Sequence, residues 1–177
     1  MPNKILLSGE KGIGKSTLAY HLINLVLSKN EEHPYDFENN KINPDNKSYK
    51  LILNKSNPNF YLIDVLEEKK NIDINQIREL IINLNKSSFN NKKRFVLIDN
   101  IELLNLNSIN ALLKILEEPP NHVKFILATT EIQKIPPTVL SRVQRYDLKR
   151  VNNIDMIEHL EKILKKEINI KKENIII

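Results

Sequence analysis

Gly9-Glu-Lys-Gly-Ile-Gly-Lys-Ser16 fits the pattern G-x-x-x-x-G-K-[ST] in full and holds all three glycines of the 177-residue chain. A chain that places no glycine in any other turn has a local need for bare backbone here. Successive N–H groups can curl around a phosphate only at dihedrals that glycine reaches without a Cβ penalty. The flanks agree with that reading. Lys4-Ile-Leu-Leu-Ser8 has the form of a short buried strand, and residues 16–27 that of a helix. The loop therefore falls at a strand-to-helix turn, where the helix N-terminus offers N–H donors and positive partial charge to an anion. Gly9, Lys11, Gly12, Ile13, Gly14, Lys15, Ser16 and Thr17 are the candidate nucleotide-binding residues. Lys15 would reach the outer phosphates and the Ser16 hydroxyl would bind Mg²⁺. A glycine turn in an ordinary α/β domain is the competing reading; motif and flanks matching together weigh against it.

Downstream of the loop, helical periodicity ends near Lys29. Residues 30–58 are rich in Asn, Lys and Pro, with one apolar interruption at Leu51-Ile-Leu53, and read as a long excursion rather than a linker. Phe60-Tyr-Leu-Ile63 is the next strand; Ile74, Ile77, Leu80, Ile81 and Leu84 recur at helical spacing, followed by a polar loop over 85–93. Arg94-Phe-Val-Leu-Ile-Asp99 is a continuous apolar run ending in a carboxylate, the pattern of a buried parallel strand. Asn107 is expected to cap a helix with Ile109, Leu112, Leu113 and Leu116 on its inner face, stopped by Pro119-Pro120. Residues 124–128 form a further strand, Pro136-Pro137 opens a short helix to Ser141, and 144–148 is a last strand. From Ile154 the stripe Ile157, Leu160, Ile163 and Leu164 marks an amphipathic helix, and the tail 171–177 carries no signal. Strands alternating with helices predict an α/β fold with a parallel sheet, whose ligands bind at the carboxyl ends of the strands.

Ser8-Gly9 and Asp99 both stand at such ends, so they are expected to meet around one nucleotide. Asp99 would hold Mg²⁺ together with Ser16, directly or through water. The alternative is a strand-ending aspartate that caps the next turn. Hydrolysis also needs a group to orient or deprotonate water. A glutamate often follows the aspartate, and here the position is Asn100, which cannot take a proton at neutral pH. Glu102 is the nearest substitute in sequence.

Composition sets wider bounds. The 27 basic against 22 acidic residues permit a polyanionic partner without requiring one. No cysteine occurs, which removes disulfides and thiolate zinc sites and points to a cytoplasmic protein. No apolar run reaches the roughly 18 residues of a membrane span, so no membrane role is expected.

Three segments carry a family resemblance: Asn107-Ser-Ile-Asn-Ala-Leu-Leu-Lys-Ile-Leu-Glu-Glu-Pro-Pro120, Val123-Lys-Phe-Ile-Leu-Ala-Thr-Thr130 and Ile135-Pro-Pro-Thr-Val-Leu-Ser-Arg142. They resemble bacterial clamp-loader subunits, the AAA+ delta-prime and gamma/tau components of DNA polymerase III. The similarity runs from about Ile5 to Tyr146 and is weak over 30–58. The resemblance implies a three-layer AAA+ P-loop NTPase domain over 1–149 and the beginning of a helical lid over 150–177. It implies ATP and Mg²⁺ as cofactors, and as partners the other subunits of a hetero-pentamer, a sliding clamp, and primed DNA through the complex. Thr129 or Thr130 matches the sensor 1 position. Arg142 matches an arginine finger acting in trans, with Val143 where the family has cysteine; a surface salt bridge is the plainer reading of Arg142. Such a finger is expected at the subunit surface near the carboxyl ends of the strands. Family members commonly carry a four-cysteine zinc module between the nucleotide motifs, so no zinc is expected here. Asp99-Asn100 in place of Asp-Glu favours the delta-prime type, with intrinsic ATPase weak or absent, over a hydrolysing gamma/tau type. The resemblance further implies that an upstream segment completing the adenine pocket, the rest of the lid and the collar lie outside this sequence.

Overall fold

Apolar strands need cover on both faces, and in this chain alternate strand residues part to two separate cores. The computed structural model describes residues 1–66, 69–85 and 93–173, with only the backbone from 166 onward. Its strands are β1 (Lys4–Ser8), β2 (Phe60–Ile63), β3 (Arg94–Ile98), β4 (Val123–Thr129) and β5 (Gln144–Asp147). The helices are α1 (Lys15–Leu27), α2 (Lys47–Leu53), α3 (Ile74–Asn85), α4 (Leu106–Glu117), α5 (Pro137–Leu140) and α6 (Asn153–Glu173). All five strands are parallel, in the order β2-β3-β4-β1-β5.

Leu6, Val96, Ile98, Phe125 and Leu127 face α3 and α4 through Ile77, Leu80, Leu84, Leu112 and Leu116. Ile5, Leu7, Phe95, Leu97 and Ile126 face α1 and α2 through Ala19, Ile23, Leu27 and Ile52. The result is the α/β fold with a parallel sheet expected from the alternation of elements, in the three layers that the resemblance implies. Phe95 and Phe125 are fully buried on opposite sides of the sheet, each contributing roughly 2–3 kcal/mol by apolar burial.

Two expectations are corrected. Asn105, not Asn107, caps α4: its Oδ1 accepts the Ser108 N–H at 2.9 Å. The apolar periodicity could not separate two asparagines two residues apart, because the helix begins with the exposed Leu106. The excursion over 30–58 also contains α2. Its cap Asn46 is fully buried and takes N–H groups from Tyr49 (2.8 Å) and the Asn24 side chain (3.1 Å), while giving its own amide to His33 O (2.9 Å). The polarity that reads as loop is thus satisfied internally, which lets the segment pack on α1. Of the loop expected over 85–93 and the tail over 171–177, residues 86–92 and 174–177 lie outside the described residues.

Pro137 opens α5 at its first turn, and α4 stops at Glu117 before the Pro119-Pro120 pair, as the ring geometry requires. No helix among the described residues is long and apolar enough to cross a membrane. All described side chains of α6 are exposed, including Ile154, Ile157, Leu160 and Leu164.

Candidate phosphate and metal site

The carboxyl ends of β1, β3 and β4 open onto a cavity of about 270 Å³ lined by Lys11, Gly12, Gly14, Lys15, Ser16, Thr17, Asp99, Asn100 and Thr130. Local sequence explains how the loop is held. Gly14, at φ 95° and ψ 21°, is the N-cap of α1, a left-handed position that an L side chain occupies only with strain. It offers no side chain to the first turn, and that turn carries no acidic residue. The helix N-terminus is therefore left with donors and positive partial charge for an outside anion. Gly9 is constrained differently: a Cβ there would stand 2.7 Å from Leu148 O. Leu148 N in turn donates to Ser8 O at 2.8 Å, so the segment after β5 lies directly against the loop.

Lys15 is only 7 % exposed. Its Nζ donates to the loop's own carbonyls, Gly9 O and Glu10 O, both at 2.9 Å. An ammonium has three donors, so two fix the charge inside the loop and one remains for an anion. Ser16 Oγ donates to Asp99 Oδ2 at 2.5 Å, across 83 residues of sequence. The two expected metal ligands are thus in direct contact, and Asp99 Oδ1 also accepts the Asn100 N–H at 3.0 Å. This donor set fits a magnesium-bound polyphosphate: uncapped helix N–H groups, a buried ammonium, and hydroxyl and carboxylate oxygens for a hard divalent cation. Such a ligand would supply the phosphoryl group and, through its metal, neutralise charge on it.

Glu102 does not stand free as a substitute base. Its Oε1 accepts from Thr130 N at 3.1 Å and Thr130 Oγ1 at 2.7 Å. Burial, the largest influence on this carboxyl, pushes its pKa up. Hydrogen bonds from Thr130, the backbone and Thr129 outweigh that and leave it below the usual value. A carboxylate so held is a weaker base. Thr129 is fully buried and accepts the Glu131 N–H at 3.0 Å, whereas Thr130 lines the cavity. Of the two sensor candidates, Thr130 is the one in reach of a ligand there.

Sequence reasoning passed over Asp64, which follows β2 and accepts the Asn100 side-chain amide on Oδ1 at 3.1 Å. A signal for it exists: Leu62-Ile63-Asp64 repeats Leu97-Ile98-Asp99, two strand ends of one design on neighbouring strands. Tyr20 registers both acids; burial first, then the negative charges of Asp99 and Asp64, raise its pKa.

Gly9 and Ile13 belong to the loop without lining the cavity. Arg142 lies elsewhere. Gln144 pairs with Ile5 and Asp147 with Ser8, so residue 142 precedes the amino end of β5, opposite the phosphate loop. The expectation that it sits near the carboxyl ends of the strands is overturned by this parallel register. Its guanidinium bonds Glu117 Oε1 at 2.5 Å and Thr138 O at 2.6 Å, joining the end of α4 to α5. Glu117, the last residue of α4, is the partner of that arginine.

A sequence profile for the family described as "DNA polymerase III, delta subunit" matches residues 1–152. The chain is 34 % identical to DNA polymerase III subunit gamma/tau of Mycoplasma genitalium, over 99 % of this chain and 28 % of that protein. It is 34 % identical to DNA polymerase III subunit gamma of Buchnera aphidicola subsp. Acyrthosiphon pisum, over 92 % and 42 %, and 36 % identical to subunit tau of Bacillus subtilis, over 92 % and 27 %. It therefore spans less than half the length of these relatives. Among solved structures it is similar to a DNA polymerase III gamma subunit-related protein of Thermotoga maritima, with TM-score 0.57, 25 % identity, 85 % of this chain and 42 % of that one. The RuvB Holliday junction branch migration motor of Thermotoga maritima shares the fold, with TM-score 0.53, 17 % identity, 96 % of this chain and 44 % of that one.

Proposed function

We propose, from the premise that this chain belongs to the bacterial DNA polymerase III clamp-loader family, that it is the ATP-binding part of a gamma/tau-type clamp-loader subunit. In that role it acts in the cytoplasm during DNA replication, within a hetero-pentamer that opens a sliding clamp and places it on primed DNA. The names of the relatives support the gamma/tau type. The observation that carries nucleotide binding is the 2.5 Å contact of Ser16 with Asp99 in the cavity that Lys15 also lines. Lys15 and the α1 N-terminus bind the phosphates, Ser16 and Asp99 hold Mg²⁺, and Thr130 senses the outer phosphate. Residues 1–149 form the nucleotide domain and 150–177 begin a lid. Arg142 faces a neighbouring subunit from the amino end of the sheet and serves the neighbour's site rather than its own.

A delta-prime type is the second reading, and Asn100 favours it. With an amide where a base would stand, the chain binds ATP as a switch and turns it over slowly. Both readings rest on magnesium-dependent ATP binding. Calorimetric titration of the parent and of Asp99→Asn, with and without Mg²⁺, tests it. The parent is expected to bind ATP more tightly with Mg²⁺, and the variant to lose that dependence. Equal behaviour of the two would remove Asp99 from the metal site.

A further inference from the structure

Asn100 occupies a place where one atom matters more than the whole side chain. It lines the cavity beside Lys15, Ser16, Asp99 and Thr130. Its backbone is pinned: N–H to Asp99 Oδ1 at 3.0 Å, and carbonyl oxygen accepting Leu103 N at 2.8 Å. With φ 54° and ψ 50° it is in the left-handed region, which asparagine tolerates better than longer side chains. An amide presents either a donor or an acceptor to a cavity, depending on a half-turn about its last bond. Here a neighbour decides. Asn100 Nδ2 meets Asp64 Oδ1 at 3.1 Å, and a carboxylate can only accept, so the NH₂ group must be the end that faces β2.

Asp64 is itself fixed, its Oδ1 taking the Val65 N–H at 2.7 Å and its carbonyl the Gln76 side-chain amide at 3.0 Å. Among the described residues Asn100 Oδ1 takes no donor. We propose that Asp64 is a positioning residue that locks the Asn100 amide with its oxygen toward the cavity, so that Asn100 orients the attacking water as an acceptor without removing its proton. This rests on the nucleotide reading above. It gives the site the acceptor half of a base's work. An oriented water is enough for slow phosphoryl transfer. Its oxygen bonds to the outer phosphorus as the bond to the diphosphate leaving group breaks, and its proton passes to an oxygen of the released phosphate. Positioning and charge stabilisation thus dominate over proton removal by the protein.

The full chain, compared with Asp64→Asn and Asp64→Glu, provides the test. In nucleotide-free protein, the ¹H–¹⁵N side-chain amide resonances of Asn100 are expected to move in Asp64→Asn and to stay near the parent's in Asp64→Glu. The second measurement is affinity for Mg·ATP and for Mg·ADP with aluminium fluoride, which mimics the transferring phosphoryl group. Asp64→Asn should weaken the mimic about five- to tenfold, the scale of one hydrogen bond, with ATP affinity unchanged and Asp64→Glu close to the parent. Unmoved Asn100 resonances, or equal losses for ATP and the mimic, overturn the proposal. A parent that binds neither ligand defeats the nucleotide reading instead, while the resonances still decide whether Asp64 holds the amide.

Discussion

Lys15 keeps its charge inside the loop by donating to two carbonyls that the chain bends back to it. Among the described residues no carboxylate pairs with that ammonium, so an anion entering the cavity meets a cation already desolvated and already placed. Lys15→Ala should weaken Mg·ATP binding by about two orders of magnitude, the range of a charge-assisted hydrogen bond, while circular dichroism shows an intact fold. Equal affinity by calorimetry would break the assignment. The neighbouring position predicts a conflict. Asn100→Glu supplies the missing base but places a longer side chain at φ 54°, so its unfolding free energy should drop by about 1 kcal/mol even as turnover rises. A variant that gains neither rate nor strain would mean that position 100 is indifferent to chemistry. Most of this site is legible in the sequence, because a phosphate loop is a contiguous string. Asp64 is legible only in part: the repeated Leu-Ile-Asp strand end marks it, but its partner comes from a pairing between β2 and β3 that no local spacing reports.

The ends of the helices are where local rules compete. Asn105 and Asn107 both suit a cap, and only one accepts the Ser108 N–H. Asn105→Ala should cost about 1 kcal/mol of unfolding free energy, whereas Asn107→Ala should raise it by a few tenths, since alanine is the better helix former at an exposed position inside α4; denaturant melts of both settle the order. The end of α4 is tied by Arg142 to Glu117 on the surface. An exposed ion pair contributes about 0–1 kcal/mol. Arg142→Ala should therefore leave this chain's stability and its own ATP binding nearly unchanged. If the finger role holds, it lowers turnover at the adjoining site of an assembled complex by on the order of 10³. Mixed assemblies of the variant with intact partners measure this, and full activity there would reduce Arg142 to a surface residue. Why the arginine lies at the amino end could not be read from the motif, because which end it occupies depends on the parallel register of β5 with β1.

Over the whole molecule, strands β1 to β4 and most helices follow from apolar periodicity because those strands feed two cores in alternation, a pattern written directly in the side chains, whereas β5 is exposed throughout. The excursion over 30–58 escaped that logic, since its helix is held by the buried Asn46 and Asn24 rather than by an apolar stripe alone. One contact beside the second core has a mechanical meaning. Gly9 leaves no room for a methyl group against Leu148 O, and Arg150 reaches Glu10 at 2.7 Å. A few residues later begins α6, 21 residues long, a rod of about 30 Å whose described side chains are all exposed. The rod is thus a lever whose root, held by the Leu148 and Arg150 contacts, rests on the loop. A pivot of about 5° there carries the far end through nearly 3 Å, by the length of the rod alone. A fluorophore at residue 164, paired with one on α3, should register the arrival of a phosphate at Gly9 as a change in transfer efficiency. A spectrum deaf to that arrival would mean that the clamp slips.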